Sequence, residues 1–556
     1  MMKVHSGRAR TWHFVCELDE LLPQSGAAAL IEGRQIAIFR LKDQVYALDN
    51  FDPNCGANVL ARGLIGDQGG EPVVASPVHK HHFSLASGRC LEDPGQSVEV
   101  FPARVRDGCI YVQSAAVRRK ARRRRLVVVG NGMAGMKTVE QLLELAPGAY
   151  EITVFGAESH PNYNRILLSP VLAGDKQVED IILNPIEWYR DKNVALHLGD
   201  CVVAIDRTRR KVRSARGIEA SYDRLLLATG SRPRLLPVPG AGLQGVVTFR
   251  DLQDVETMLA AVRTCRRAVV IGGGLLGLEA ANGLMQQGMD VTVVHLSDIL
   301  MERQLDREAA SLLQTSLERR GLKFRMGART ARILEAPAGA RTGETIGAAT
   351  PTLEGDAANS AKDQEGGAQP SSAHVGGVRF DDGSEIATDL VVMAAGIHPN
   401  IDLARSAGLR CDRGVLVNDT LQTFDPCIYA VGECVQHRNN TYGLVAPLFE
   451  QAEVCATHLA ELGIGRYRGS MVSTRLKING IDLFSAGDFI GSASSESLVL
   501  RDARRGVYKR VVIEDNKLRG ALLYGDVKDA SWYAELITAN RDIGALRDHL
   551  LSGRIG

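Results

Sequence analysis

The sequence has little cysteine, almost no net charge and no long hydrophobic run. Ten cysteines in 556 residues are too few for a disulfide scaffold, and none has the CxxC spacing of a thiol-redox or zinc site. Lysine and arginine number 66 against 65 aspartates and glutamates, so no overall field favours nucleic acid or a membrane surface. No apolar run approaches the roughly 18 residues of a membrane-spanning helix. The N-terminus has no apolar h-region, so we do not expect a secretory signal. These absences predict a cytoplasmic protein of several domains.

Composition changes along the chain predict three kinds of domain. Residues 1–116 carry short strands separated by Gly, Asp and Asn, which indicates a small all-β domain. The basic run 117–125 is interpreted as a linker, with docking of an acidic electron-transfer partner as the alternative. From 126 to about 460, strands alternate with helical segments, as in a parallel α/β sheet. The last segment, 461–556, predicts a small α+β domain with a closing helix near 530–552.

One stretch of the α/β region, about 336–377, is rich in Ala, Gly, Thr and Ser and has almost no large apolar residue. Such a segment buries too little surface to offset the entropy lost on ordering. We interpret it as a flexible surface insertion between two strands.

Glycine is plentiful, with 57 residues, and some of it lies in motifs. A β-branched strand runs directly into GxGxxG over 126–135. Gly130 permits the tight turn, Gly132 lets the backbone approach a pyrophosphate, and Gly135 lets the next helix pack on the strand. That helix offers free N–H groups and a positive dipole end to phosphates. The following strand leads to Glu158, which is a candidate for binding a ribose; the alternative is a solvated turn carboxylate.

A second strand–GxGxxG–helix unit contains Gly272, Gly274 and Gly277, and its next strand ends at His295. NAD-binding units usually carry an acid there for the ribose hydroxyls. Histidine does not repel a 2′-phosphate, which favours tolerance of NADPH, but no arginine follows at once. The sequence therefore does not choose between NADH and NADPH. Two such units imply a bound flavin dinucleotide at the first and a diffusible nicotinamide at the second.

Two further turns fit a flavin site. One strand ends in Ala228, Thr229 and Gly230, where the backbone passes close to a cofactor. Another strand ends at Gly432 and the carboxylate of Glu433.

Together these residues resemble the two-dinucleotide flavoprotein reductases of the glutathione-reductase-like fold. Within that group, about 126–556 resembles the flavoprotein part of the NAD(P)H nitrite reductase large subunit and the electron-transfer subunit of assimilatory nitrate reductase. The segment 162–169 is similar to the YxRxxLS flavin-contact segment, which implies that Arg165 contacts FAD. Pro170 stands where relatives often have lysine. The resemblance also implies that Glu433 replaces the aspartate that binds the ribityl chain.

Residues 9–115 resemble the Rieske-like small subunit of the same nitrite reductase. A Rieske cluster needs two thiolates and two imidazoles, arranged as CxH and CxxH. Alignment on neighbouring motifs assigns the four ligand positions to Asp52, Asn54, Ser76 and His79. The resemblance therefore implies a Rieske fold without its 2Fe–2S cluster.

Thiol and metal chemistry have little support elsewhere. Cys55 with the histidines of 79–82 leaves a mononuclear metal site open, but surface or packing histidines are the simpler interpretation, and we predict no metal ligands. The CxxxxC of disulfide reductases is absent, and so is the four-cysteine motif of a siroheme module. We therefore do not expect this polypeptide by itself to reduce nitrite to ammonium.

The sequence thus predicts an N-terminal all-β Rieske-like domain, an α/β two-dinucleotide flavoprotein and a small α+β C-terminal domain. FAD-binding segments 126–247 and 396–460 flank an NAD(P)-binding segment, 248–395. The predicted function is transfer of electrons from NAD(P)H through FAD to a separate nitrite or nitrate reductase subunit, without a catalytic side chain. The alternatives are a ferredoxin or rubredoxin reductase serving an oxygenase, and a flavin redox sensor or scaffold of low turnover. The final acceptor and the oligomeric state stay open.

Overall fold

The chain is described by a computed structural model over residues 11–113, 123–337 and 373–553, except 463, 464, 472, 477 and 479. It divides into two compact units, 1–122 and 123–556. Each unit has hydrophobic cores of its own. No helix among the described residues is long and apolar enough to cross a membrane.

The smaller unit consists of short strands, which confirms the predicted all-β domain. They are β1 (Trp12–Glu17), β2 (Ser25–Ile31), β3 (Arg34–Leu41), β4 (Gln44–Asp49), β5 (Phe51–Asp52), β6 (Ala57–Asn58), β7 (Leu64–Gln68), β8 (Glu71–Ala75), β9 (His82–Ser84), β10 (Val100–Phe101), β11 (Ala103–Arg106) and β12 (Cys109–Gln113). The larger sheets have the orders β10-β4-β3-β2, β1-β12-β11 and β7-β8-β9. Because successive side chains of a strand point to opposite faces, β3 contributes Ile36 and Ile38 to one core and Ala37 and Phe39 to another.

The larger unit begins with a parallel sheet of order β17-β14-β13-β21-β33. Its first elements are β13 (Arg124–Val129), α1 (Met133–Leu145), β14 (Tyr150–Gly156), β15 (Asn162–Tyr163), α2 (Leu168–Ala173), β16 (Ile182–Asn184), α3 (Ile186–Asp191), β17 (Val194–Leu198), β18 (Val202–Asp206), β19 (Lys211–Ser214), β20 (Glu219–Ser221), β21 (Arg224–Leu227) and β22 (Ser231–Pro233). The central strand β13 is apolar and buried from residue 126 to 129, because a parallel sheet is covered on both faces.

A second parallel sheet follows, with order β23-β30-β24-β25-β26. Its segment contains β23 (Val246–Thr248), α4 (Leu252–Val262), β24 (Arg267–Ile271), α5 (Leu275–Gln286), β25 (Asp290–Val294), α6 (Arg307–Arg319), β26 (Lys323–Arg325), β27 (Thr330–Glu335), β28 (Val375–Phe380), β29 (Glu385–Ala387), β30 (Leu390–Met393) and β31 (Ile397–Pro399). The chain then returns to the first sheet through α7 (Asp402–Ser406), β32 (Val415–Val417), β33 (Ile428–Ala430), β34 (Val435–His437), β35 (Asn440–Thr441) and α8 (Val445–Leu459).

The C-terminal domain is an antiparallel sheet of order β36-β37-β40-β39-β38 with one α-helix packed on it. Its elements are β36 (Ser473–Arg475), β37 (Leu483–Gly487), β38 (Glu496–Asp502), β39 (Val507–Glu514), β40 (Lys517–Tyr524) and α9 (Ala530–Ala539). The single closing helix predicted near 530–552 is wrong. Asn540 adopts a left-handed conformation with φ of +48° and ends α9, and a separate 3₁₀ helix, Gly544–Ser552, follows.

Two predicted boundaries also change. The linker predicted at 117–125 lies outside the described residues up to 122, but Arg124 and Arg125 belong to β13, where they pair with Glu461 and Asp223. Most of the insertion predicted at 336–377, namely 338–372, also lies outside the described residues. Its last three residues belong to β28, which pairs with β27, so strand pairing rather than composition sets that boundary.

Candidate dinucleotide-binding site

The first glycine loop joins β13 to α1. Gly130 has φ of +113°, and a Cβ added there would lie 2.1 Å from the carbonyl oxygen of Ala228. A Cβ on Gly135 would lie 2.9 Å from the Cβ of Ala228, whereas one on Gly132 would meet nothing within 4 Å. The two crowded glycines therefore let β13, α1 and the turn after β21 approach one another. The open space at Gly132 adjoins the N-terminus of α1, where phosphate groups bind.

A cavity of about 590 Å³ opens beside this loop. Its volume lies within the range of small-molecule and cofactor sites, so loop and cavity fit a dinucleotide. The predicted site residues that line it are Gly130, Gly132, Glu158, Arg165, Ala228, Thr229, Gly230, Gly432 and Glu433. Gly135 lies outside the lining, against the backbone of the loop. No cysteine is among the described residues that line the cavity.

Glu158, just after β14, is held by Arg165 and Tyr163. The Arg165 guanidinium donates to one carboxylate oxygen, and Tyr163 Oη donates to the other at 2.6 Å. Arg165 also donates to the backbone oxygen of Arg250 at 3.0 Å. Burial disfavours the charged form of Arg165, but the charges of Glu158 and of its other neighbours together outweigh burial, so the pKa of Arg165 is raised. Burial raises the pKa of Tyr163. Glu158 thus presents a fixed carboxylate at the end of the second strand, as a ribose-binding acid does.

Glu433, in the turn after β33, is likewise held by an arginine and a hydroxyl group. The Arg250 guanidinium contacts its carboxylate, and Ser231 Oγ donates to it at 2.7 Å. The side chains of Arg250 and Glu433 are only 16% and 11% exposed, so water screens this ion pair weakly. Gly432, with φ of +92°, donates its N–H to Gln451 Oε1 at 2.9 Å. This turn is therefore fixed by both its backbone and its side chain.

The turn of Ala228–Gly230 is fixed by Asn400. Thr229 Oγ1 donates to the Asn400 carbonyl oxygen at 2.8 Å, and Asn400 Nδ2 donates to the Thr229 carbonyl oxygen at 2.8 Å. The Asn400 N–H donates to the Gly230 carbonyl oxygen at 2.9 Å. These three bonds hold the backbone that forms one wall of the cavity.

The second glycine loop, between β24 and α5, repeats the backbone of the first. Gly272 has φ of +130°, and its added Cβ would lie 2.3 Å from the carbonyl oxygen of Ala394. A Cβ on Gly277 would lie 1.9 Å from the Gly272 oxygen, whereas one on Gly274 would meet nothing within 4 Å. The three glycines of the second loop therefore have the same kind of surroundings as those of the first.

The start of α5 reaches the cavity through Leu275, Leu276 and Glu279, whereas Gly272, Gly274, Gly277 and His295 lie outside the lining. Glu279 is buried and accepts a hydrogen bond from Ser169 Oγ at 2.5 Å. Because Ser169 belongs to α2 in the first dinucleotide segment, this bond joins the two predicted sites.

Sequence reasoning missed five charged residues of the lining, namely Arg232, Arg250, Asp251, Glu279 and Arg475. Arg250 lies 183 residues before its partner Glu433, and no local pattern marks such a pair. Arg475 comes from the C-terminal domain, which was predicted as a separate domain. Glu279 could have been predicted, because it lies on the first turns of the helix that follows the second glycine loop.

In the smaller unit, three of the four positions aligned with Rieske ligands are linked by hydrogen bonds. Asp52 and Ser76 are fully buried, Ser76 Oγ donates to the Asp52 carboxylate, and the N–H of Asn54 donates to it at 2.9 Å. Burial opposes ionisation of Asp52, but these hydrogen bonds outweigh it and lower its pKa. Two thiolates are needed where Asp52 and Ser76 stand, so these residues do not fit a 2Fe–2S cluster. No group of three or more His, Cys, Asp and Glu among the described residues is arranged to hold a metal ion.

Profiles of three known families match the chain. The pyridine nucleotide-disulphide oxidoreductases match residues 124–457. A Rieske-like 2Fe–2S domain matches residues 11–113. The C-terminal domain of rubredoxin NAD+ reductase matches residues 473–541.

Two curated relatives come from Bacillus subtilis (strain 168). The chain is 44% identical over 421 residues to its nitrite reductase (NAD(P)H), covering 76% of this chain and 48% of the relative. It is 41% identical over 430 residues to its assimilatory nitrate reductase electron transfer subunit, covering 77% and 51%. The chain therefore spans about half the length of these relatives. Among solved structures, the ferredoxin reductase for the CYP199A2 system of Rhodopseudomonas palustris aligns with a TM-score of 0.62 at 25% identity, covering 73% and 93% of the two chains.

The profile that matches residues 124–457 covers more than half of the chain and includes both glycine loops and most of the cavity lining. This match confirms the predicted two-dinucleotide oxidoreductase fold, with a Rieske-like domain before it and a sheet domain after it. The chain belongs to the pyridine nucleotide-disulphide oxidoreductase family.

Proposed function

We propose that the chain is an FAD-dependent NAD(P)H oxidoreductase that passes electrons to a separate nitrite or nitrate reductase component. One observation carries the proposal. The cavity beside the first glycine loop is also lined by the start of α5, the helix that follows the second glycine loop. Dinucleotides on the two loops would therefore share one space, and hydride transfer requires such proximity.

The residues that would hold FAD surround that cavity. The N-terminus of α1 beside Gly132 would bind the pyrophosphate, Glu158 the ribose and Glu433 the ribityl chain, while Arg165 would contact the flavin. Gly272, Gly274 and Gly277 would form the matching site for NAD(P)H. When bound, FAD supplies the chemistry, since it takes up a hydride from a nicotinamide and releases two electrons to an acceptor. The protein supplies position and a shielded surface, and no side chain needs to act as an acid or a base.

The smaller unit is proposed as a docking module without a 2Fe–2S cluster. The buried hydrogen bond between Asp52 and Ser76 supports this role. It links the two loops that carry the cluster ligands in a Rieske domain, so here a polar contact replaces the iron. The names of the two Bacillus relatives support a nitrite or nitrate reductase as the acceptor. The match of 473–541 to a rubredoxin reductase domain favours rubredoxin as a second candidate acceptor.

The test compares the full chain with a variant that lacks residues 1–116. We expect both to bind FAD and to reduce a dye with NADH at equal rates. With a purified siroheme nitrite reductase or molybdenum nitrate reductase component, we expect the variant to be at least tenfold slower. Equal rates with that component would contradict the docking role. A full chain that stays colourless when offered FAD would contradict the proposed function, and faster reduction of rubredoxin would select the second candidate.

A further inference from the structure

The imidazole of His295 is already committed to the second glycine loop. Its Nδ1 accepts a hydrogen bond from the N–H of Gly273 at 3.0 Å. A Cβ added to Gly273 would lie 2.8 Å from the ring Cγ, so the ring packs directly against the loop. Because an accepting Nδ1 carries no proton, the ring in this arrangement is neutral and its proton is on Nε2. His295 therefore neither offers a cation to a 2′-phosphate nor repels it, so the charges beside the ring become decisive.

The proton on Nε2 points to Glu302. The distance from His295 Nε2 to Glu302 Oε2 is 3.0 Å, and the Glu302 side chain is 44% exposed against 11% for His295. The preceding residue, Met301, is buried and donates its N–H to the Gly273 carbonyl oxygen at 3.0 Å. Glu302 is therefore anchored beside the glycine loop. A later loop thus brings a carboxylate to the place where the last residue of the second strand usually provides one.

The arginines of this region mostly face other carboxylates. Arg325 donates to Asp382 at 2.6 Å, and Arg307 donates to Asp298 at 2.7 Å. Within 11–113, 123–337 and the described part of 373–553, Glu302 makes no ion pair with an arginine or a lysine. Arg303, the next residue, is exposed and is the competing cation that a test must address.

We propose that Glu302 makes the second site selective for NADH over NADPH. Its carboxylate would accept hydrogen bonds from the hydroxyls of the adenosine ribose. The same charge opposes a 2′-phosphate, which carries about −1.5 to −2 near neutral pH. This inference rests on the proposed function and names the reductant that the same site uses.

The test measures binding of ADP-ribose and 2′-phospho-ADP-ribose to the full chain by equilibrium titration, which needs no flavin chemistry. We expect the wild type to bind ADP-ribose at least tenfold more tightly. Glu302→Gln should lower that ratio about tenfold. Asp298→Asn removes the same charge from the same loop, where it faces Arg307, and should leave the ratio within twofold. Stopped-flow reduction with NADH and NADPH should show the same change, in KM more than in kcat.

Three results would overturn the inference. One is an equal ratio in Glu302→Gln and the wild type. Another is a wild type that binds 2′-phospho-ADP-ribose more tightly than ADP-ribose, with this preference abolished by Arg303→Gln. A wild type that binds neither ligand would also overturn it. If ADP-ribose binds but neither nicotinamide reduces the flavin, the proposed function fails, while the titration still decides the selectivity.

Discussion

The two glycine loops of the larger unit share a backbone. Each loop has a glycine with positive φ, and a Cβ added to it would lie within 2.3 Å of the carbonyl oxygen of an alanine on a neighbouring turn. At both, the glycine before the helix, Gly132 or Gly274, has open space beside it. This geometry recurs because a strand, a helix and a phosphate can converge only where no Cβ intervenes.

The surroundings of the loops differ. The first loop faces a cavity braced by two ion pairs, Glu158 with Arg165 and Glu433 with Arg250. The second faces the neutral ring of His295, and the Glu302 carboxylate that contacts this ring is more exposed than Glu158 or Glu433. Under the proposed function, glycine spacing would determine where each dinucleotide binds, whereas side chains from distant segments would distinguish a firmly held cofactor from an exchanging one.

The largest effect is expected from alanine at the crowded glycine of each loop. Gly130→Ala places a Cβ against the Ala228 carbonyl oxygen, so we expect the purified protein to hold less than a tenth of the wild-type FAD. Gly272→Ala should retain FAD, but its kcat/KM for NADH should fall at least a hundredfold, which is about 2.7 kcal/mol. Flavin absorbance and stopped-flow reduction measure the two outcomes.

The control for this pair is Gly242→Ala, because Gly242 is exposed and its added Cβ would meet nothing within 4 Å. It should match the wild type in both measurements. If Gly272→Ala loses FAD while Gly130→Ala retains it, FAD binds at the second loop and the nicotinamide at the first, the reverse of the proposal.

The same contrast explains what the sequence could predict. Both glycine loops, the Ala228–Gly230 turn and the Gly432–Glu433 turn are local patterns, and the structure has each at the end of a strand. The fold class also followed from the alternation of elements. The split of the closing helix did not, because a single left-handed residue, Asn540, decides it.

The side chains that complete the sites were not predictable in this way. The Arg250–Glu433 pair spans 183 residues, and the hydrogen bond from Ser169 to Glu279 spans 110. The composition of one segment carries no information about such a distant partner. His295 was found from its position, but its neutral state depends on Glu302 and on the backbone of Gly273.

A smaller effect is expected from the ion pair that braces the first loop. Arg250→Leu leaves the shielded Glu433 carboxylate with Ser231 but without its cation. The pair lines a cavity and is not enclosed in a dry core, so breaking it should cost less than breaking a fully buried pair. We expect the free energy of unfolding of the FAD-free protein to fall by about 2 kcal/mol. Urea unfolding followed by tryptophan fluorescence measures this loss.

The double variant Arg250→Leu/Glu433→Leu should recover part of that stability, because no unpaired charge remains. The exposed pair of Arg232 and Asp402, 2.8 Å apart with both side chains 59% exposed, provides the control. Arg232→Leu should cost less than about 0.5 kcal/mol. Equal losses for Arg232→Leu and Arg250→Leu would mean that shielding from water does not make the Arg250–Glu433 pair stronger than an exposed pair.

The smallest effect is a pH dependence with opposite signs near the two loops. Burial, followed by the charge of Asp251, raises the pKa of Asp254 to about 6 from 3.8. The hydrogen bond from Arg307 lowers the pKa of Asp298. A raised pKa means that the folded protein holds this proton more tightly than the unfolded chain. The stability from Asp254 is therefore fully present below about pH 4 and is lost as the pH rises through about 6.

We predict that, between about pH 4 and pH 7, the wild type loses on the order of 1 kcal/mol of stability relative to Asp254→Asn. A pKa raised from 3.8 to about 6 corresponds to at most about 3 kcal/mol, and partial exposure of this carboxyl group reduces that figure. Urea midpoints across this pH range measure the difference. Asp298→Asn should change in the opposite direction, because a lowered pKa stabilises the protein above about pH 4 and that contribution is lost as the pH falls. Parallel pH profiles for the wild type and Asp254→Asn would mean that the loop carrying Arg250 is open to water. The contrast between a shielded first site and an exposed second one would then apply only to the Arg250–Glu433 pair.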